Sequence, residues 1–213
     1  RFEYFFKFVS KGRYRWWDRK HNLGRLDEGT LHVAKLRDDG TGEWIPLVHG
    51  RGALTAANGF ASQAEVLINT RGAGDAVGAT MMDRPEDIQT NPVTGRVYVN
   101  LTNNTEREAP NPGNPRSPNP WGHVLELRED GDDPGATSFR WRIFLLCGDP
   151  ANPDTYFAGY PKDKVSPIGS PDNPTFDNEG NIWLASDGTQ PPGGNNGLFA
   201  CPTRGSERGH VQL

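Results

Sequence analysis

Apolar and polar positions along most of the chain alternate with a period of two, the signature of half-buried strands. Residues 30–36, Thr30-Leu31-His32-Val33-Ala34-Lys35-Leu36, alternate in this way, Arg37-Asp38-Asp39-Gly40-Thr41-Gly42 turns the chain, and Glu43-Trp44-Ile45-Pro46-Leu47 returns. An Asp-Gly turn between two alternating runs predicts a hairpin. Before it, residues 3–10 are rich in Phe and Tyr and read as a strand, and residues 11–27 form a charged connection punctuated by aromatics. The same order of strand, acidic Gly turn and Trp-bearing strand comes back at residues 122–127, 128–133 and 139–146, and a truncated third copy begins at residues 197–201.

A second repeat lies between these hairpins. Asp83-Arg84-Pro85-Glu86-Asp87-Ile88 and Gly169-Ser170-Pro171-Asp172-Asn173-Pro174 share a plan. Each leads through a turn to an aromatic-bearing strand, Arg96-Val97-Tyr98-Val99-Asn100 or Asn181-Ile182-Trp183-Leu184-Ala185. Each then ends in a polar cluster, Thr102-Asn103-Asn104 or Ser186-Asp187-Gly188. Together the repeats predict one complete four-stranded antiparallel unit, with strands near 86–90, 96–101, 122–127 and 139–146, and a further unit opening at Asp172. Four-stranded sheets repeated along a chain are the blades of a β-propeller. The expected fold is therefore all-β, with about two to three blades present and the whole of residues 1–213 forming one partial propeller domain, incomplete at both ends. The 86-residue interval from Glu86 to Asp172 is long for a blade. Pro- and Asn-rich insertions at 103–120 and 148–169 account for it, and a third insertion at 56–77 carries helical spacing after Asn58 and Ser62, so a helix is expected near 58–77.

Composition supports short strands and many turns. Hydrophobic residues make up 34%, with 26 Gly, 18 Pro and six Trp. The net charge of −4 is mild and the Lys and Arg residues are scattered, which argues against a nucleic-acid surface. No apolar run is long enough for a membrane span, and residues 1–30 lack the parts of a signal peptide. Cys147 and Cys201 have no metal-binding spacing and read as buried strand residues, with pairing left open.

Equivalent inner-strand positions of neighbouring blades face one channel. Glu86 and Asp172 should meet there, where two carboxylates repel unless a cation lies between them. Asn103, Asn104, His123, Asn173 and Asp187 are further candidates for lining the channel, the amides and carboxylate as oxygen ligands of a hard divalent ion. Arg84, two residues before Glu86, shares its face if the strand is regular, and a guanidinium beside metal-bound carboxylates suits a phosphoryl group. In the purely structural alternative, Arg84 and Glu86 pair with Asp83 or Asp87 at a blade corner, His123 bonds a loop and the Asn residues cap turns.

Met82-Asp83-Arg84-Pro85-Glu86-Asp87, Leu101-Thr102-Asn103-Asn104, Asn119-Pro120-Trp121-Gly122-His123, Arg128-Glu129-Asp130-Gly131 and Gly169-Ser170-Pro171-Asp172-Asn173 stand in an order that resembles the PhoX-type bacterial alkaline phosphatases. The resemblance implies a six-bladed propeller exported by the twin-arginine route to the periplasm or medium, with calcium and iron (Ca2+, Fe3+) in the channel. It further implies hydrolysis of small phosphate monoesters by a monomer. Carried over by motif, Arg84 binds phosphate and Glu86 and Asp172 ligate metal. The family's iron-binding cysteine has no counterpart motif here, so this chain alone is expected to be inactive. Two other readings stay open, a calcium-dependent propeller lactonase that would not need Arg84, and a non-catalytic propeller with a structural channel ion.

Overall fold

A computed structural model describes residues 3–192 and 194–213. Along the chain come β1 (Phe6–Ser10), α1 (Arg19–Asn22), β2 (Gly29–Leu36) and β3 (Thr41–Pro46), then α2 (Gln63–Ile68) and α3 (Thr70–Ala76). These are followed by β4 (Pro85–Thr90), β5 (Val97–Leu101), β6 (His123–Glu129), β7 (Ser138–Leu146) and the two-residue β8 (Tyr156–Phe157). The last strands are β9 (Pro171–Phe176), β10 (Ile182–Ser186) and β11 (Leu198–Cys201). No helix among the described residues is long and apolar enough to cross a membrane.

The predicted four-stranded unit is present, with β4, β5, β6 and β7 hydrogen-bonded in that order and all antiparallel. A second sheet runs β9-β10-β11, and Gln212 bridges Ala200 on its outer edge. The early hairpin behaves differently from its copy. Whereas its copy, β6–β7, lies within the complete blade, β2–β3 joins that blade edge to edge, with Thr41–Glu43 paired to Ser138–Arg140. The nine-residue β7 is long enough to divide its outer edge, its first half pairing β3 and its last two residues pairing β8. The Trp44 ring lies tilted against that of Phe139 with centroids 4.9 Å apart, and the Trp141 indole donates to the Thr41 carbonyl at 3.0 Å, so the two Trp-bearing strands lock to each other. The result is one curled sheet, β1-β2-β3-β7-β6-β5-β4.

The single helix expected near 58–77 is two short ones. Ser62 caps α2 by accepting from the Glu65 amide at 3.3 Å, whereas Asn58 turns back and donates to the Ala53 carbonyl. The break falls at Asn69 (φ −101°, ψ 51°), whose side chain accepts from the Gly72 amide and so caps α3. Asn competes with the helix for its own backbone, which ends α2 after six residues.

What positions the channel is the seam between the two sheets. Tyr98, Val124, Phe144, Leu145 and Cys147 of the first sheet and its border pack against Ile182, Leu184, Phe199 and Cys201 of the second, all buried. The Tyr98 ring sits edge-on to both Phe144 (5.2 Å) and Phe176 (5.3 Å). Fully burying side chains of this size stabilises by about 1.5–3 kcal/mol each, so the relation of β4 to β9 is fixed by a dry apolar contact. Cys147 and Cys201 lie in it as free, buried thiols, and burial pushes both thiol pKa values up to about 12.

Candidate functional site

The two copies of the inner strand match in their backbone conformation. Arg84 has φ 51° and its counterpart Ser170 has φ 47°, both left-handed and both followed by proline. A non-glycine residue rarely adopts this region and does so at a cost of about 1–3 kcal/mol where surrounding bonds enforce it. The enforcing bonds also match, because the Thr102 amide donates to the Arg84 carbonyl at 3.1 Å and the Asp187 amide donates to the Ser170 carbonyl at 3.0 Å. Each inner strand then carries one extra residue against its partner. Pro85 faces Leu101 and Ile88 faces Val99, while Pro171 faces Ser186 and Pro174 faces Leu184. A β-bulge of this kind bends the strand and re-aims its side chains. The regular strand assumed in the sequence is therefore absent at this point.

Arg84 still meets Glu86 across the bulge, Nη2 to Oε1 at 3.1 Å, and its Nη1 donates to the Asn103 Oδ1 at 3.1 Å. Both charged side chains are about two-fifths exposed, at 42% and 38%. Asp172 approaches from the second sheet, and its backbone carbonyl accepts from the Asn100 side chain at 2.9 Å. Its carboxyl is raised above the ordinary range by burial, then by the neighbouring negative charges of Glu86, Asp187 and Asp87, with Arg84 opposing them. Carboxylates from two blades thus converge on one mouth, with a guanidinium among them. A larger cleft, of about 750 Å³ between β2, β3 and the helical insertion, contains none of these residues.

The remaining candidates separate. Asp187 and Asn173 are exposed and Asn103 is half-buried, on the same side as Arg84. His123 is a correction. It is fully buried, with Nε2 bonded to the Gly113 carbonyl at 2.7 Å and Nδ1 to the Asn119 amide at 2.9 Å, and desolvation pushes its pKa down to about 4. A neutral imidazole with both nitrogens engaged cannot line a channel. Asn104 is turned inward in the same way, since its Oδ1 accepts from the Glu106 amide and its backbone pairs with that of Asn119.

Asp83, offered in the structural alternative as a partner of Arg84, pairs instead with Arg107, and residues of the 103–120 insertion that had no assigned role surround it. Asp83, wholly buried, accepts from Arg107 Nε at 2.5 Å and from Asn119 Nδ2 at 2.9 Å, and its amide donates to Asn114 Oδ1 at 3.0 Å. Arg116 ties the Asn119 side chain to the carbonyls of Gly122 and Cys147. The long 103–120 insertion therefore sets a buried polar platform, Arg107, Asn114, Arg116 and Asn119, around the Asp83 that precedes Arg84. Its local signal is the density of Asn and Pro, which marks an insertion and not a platform.

Among the described residues, no three Asp, Glu, His or Cys side chains stand close enough to hold a metal by themselves. Glu86 and Asp172 offer a partial, oxygen-only donor set, and the burial and neighbouring negative charges that raise Asp172 are both offset by a hard cation, so calcium fits them as part of a larger cage. The same carboxylate oxygens suit a hard Fe3+ ion, but the His123 imidazole does not join them because both of its nitrogens are committed elsewhere.

No curated protein matches this chain. A solved structure described as "Pseudomonas fluorescens PhoX in complex with vanadate, a transition state analogue" is 39% identical and superposes with a TM-score of 0.84, over 94% of this chain and 38% of that one. The chain thus spans less than two-fifths of that relative and is a partial β-propeller. The family model described as "Alkaline phosphatase PhoX" matches residues 1–211, and with this extent of match the chain belongs to the PhoX alkaline phosphatase family.

Proposed function

We propose that the full-length protein hydrolyses phosphate monoesters in a metal-dependent reaction, with Arg84 holding the phosphoryl group and Glu86 and Asp172 ligating calcium. One observation carries this reading: Arg84 stands beside Glu86 at the mouth where Asp172 enters from the next sheet. Vanadate, bound in the solved relative, is there called a transition-state analogue, and it imitates a transferring phosphoryl group.

Each residue's part follows from its contacts. Arg84 keeps one guanidinium nitrogen on Glu86 and another on Asn103, which fixes the plane of the fork. Its remaining N–H bonds are free to take phosphoryl oxygens and to stabilise charge as it develops on them. Asn103 is then a positioning residue. Glu86 and Asp172 would hold the cation, which supplies Lewis acidity toward the phosphoryl oxygens. Iron, if used, would draw further ligands from other parts of the longer protein.

The test is turnover of a chromogenic phosphate monoester by the full-length protein, with calcium and then with chelator. Chelator should abolish activity, and Arg84→Ala should lower kcat/KM by roughly 10²–10³, the usual loss for removing one transition-state donor. Turnover that survives the chelator refutes metal dependence. An unchanged rate in Arg84→Ala removes its phosphoryl-binding role, whereas a full-length protein that turns over no phosphate ester but hydrolyses a lactone with calcium is the lactonase alternative.

A further inference from the structure

The opposite end of the complete blade carries a second concentration of positive charge. Leu101 and His123, where β5 ends and β6 begins, lie level with Pro85 and hence with the Arg84 mouth. Arg128 lies five residues further along β6, about 17 Å away at the usual rise per residue. In the β6–β7 register Glu126 faces Arg142 and Arg128 faces Arg140. Alternate residues share a face, so these four side chains form one patch. Arg96, just before β5, joins it through Glu126. They line a cleft of about 300 Å³ together with Trp141.

The charges in this cleft do not balance. Glu126 is buried and accepts from Tyr98 at 2.7 Å, from Arg96 at 2.6 Å, from Arg142 at 2.8 and 2.6 Å and from Arg208 at 3.1 Å. One carboxylate therefore serves three guanidiniums. Arg128 is matched by Asp132, with two contacts of 2.9 Å. Arg140 is exposed, sits directly across from Arg128 and forms no ion pair among the described residues, with Asp39 close enough to feel its charge. Of the groups that line the cleft, four guanidiniums (Arg96, Arg128, Arg140 and Arg142) thus face two carboxylates (Asp39 and Glu126), and like charges directly opposed in a sheet are unfavourable unless something lies between them.

Glu126 also fixes the planes of Arg96 and Arg142, so their outward N–H groups are held in place before any ligand arrives. We propose that this cleft is an anion site that binds a small phosphate-type oxyanion through Arg96, Arg140 and Arg142, separately from Arg84. The guanidinium fork matches the oxygens of such a group in pairs, and the cleft is large enough for it. This inference does not depend on the phosphatase reading.

Calorimetric titration of the full-length protein with inorganic phosphate tests it, in an Arg84→Ala background that disables the channel arginine. A saturable site that weakens with added salt is expected to remain. Adding Arg140→Glu should weaken it about tenfold or more, the loss of one charge-assisted bond and the gain of a repulsion. Adding Arg204→Glu, an equal charge change at an exposed residue beyond β11 that donates to the Glu179 carbonyl, should leave it within about twofold. Arg140→Gln, which removes the charge without adding one, should fall between the two and stands in if the Glu variant misfolds. The proposal is overturned if the Arg84→Ala protein shows no saturable phosphate site, or if the Arg140 variants weaken binding no more than Arg204→Glu does.

Discussion

Replacing Arg107 with Met should be among the most damaging single changes in this chain, although its guanidinium is buried against Asp83 rather than exposed at the mouth. The Arg107 side chain is 3% exposed and that of Asp83 is 0% exposed, with Nε and Oδ1 separated by 2.5 Å. Removing the guanidinium leaves the Asp83 carboxylate in a dry interior with the Asn119 amide as its remaining side-chain donor. Breaking a buried pair from one side costs about 3–5 kcal/mol, because the desolvation of the surviving charge is no longer compensated. Whole domains are stable by only about 5–15 kcal/mol, so the loss is a large share of the total. Asp83→Asn combined with Arg107→Met removes both charges and should be more stable than Arg107→Met alone. Urea denaturation of the parent, the two single variants and the double closes the cycle, with midpoints compared at constant slope. A cost below about 1 kcal/mol for Arg107→Met, or a double variant that equals the sum of the singles, would refute the claim that this pair is a coupled buried unit. Because Asp83 directly precedes Arg84, the surviving folded Arg107→Met protein should also show a lower kcat on phosphate esters.

Other outcomes follow from the same contacts. Burial pushes the Glu126 carboxyl up, but the Tyr98 hydroxyl and the Arg142 and Arg208 guanidiniums outweigh it and hold it below its ordinary value of 4.5. Its stabilisation is therefore present above pH 4.5 and disappears as pH falls through the lower folded value; Glu126→Gln should be less stable at pH 7 and should flatten that acid limb in pH-resolved unfolding. Gly122→Ala would place a Cβ 2.2 Å from the carbonyl oxygens of Leu101 and Thr102 at φ 71°, and should lower stability by more than about 1 kcal/mol in thermal unfolding. A thiol reagent should label neither Cys147 nor Cys201 in the native protein and both after denaturation, since each is buried with its pKa pushed up to about 12.

Much of the fold was legible because strand alternation and turn chemistry are local. The hairpin over β2 and β3, the four strands of the complete blade and the opening of the next all lie within a few residues of their expected bounds. The equivalence of Arg84 and Ser170 was legible as well, since both precede proline, and it extends to their backbone angles. What failed depends on contacts between distant segments. Nothing near Thr41 announces that its strand will pair with Ser138 and Arg140 a hundred residues later. The Asp83–Arg107–Asn119 platform likewise joins three stretches that are close only after folding. His123 carried a misleading signal, because its position at the start of a strand is shared by metal ligands and by buried structural residues alike.

The bulge found in both β4 and β9 has a wider consequence. An extra residue reverses the odd–even phase of a strand. Upstream of it the side chains follow the needs of the channel mouth, and downstream they follow the wall, where Ile88 and Thr90 border an apolar cleft with Phe5 and Val97. The two halves of one short strand are thereby uncoupled, so a mouth residue can change from Ser170 to Arg84 between blades while the wall keeps its own pattern. Aligning one blade with another, in this chain or in its relatives, should therefore be anchored on the proline before the bulge, and a one-residue deletion between Pro85 and Ile88 would turn the mouth residues toward the wrong side.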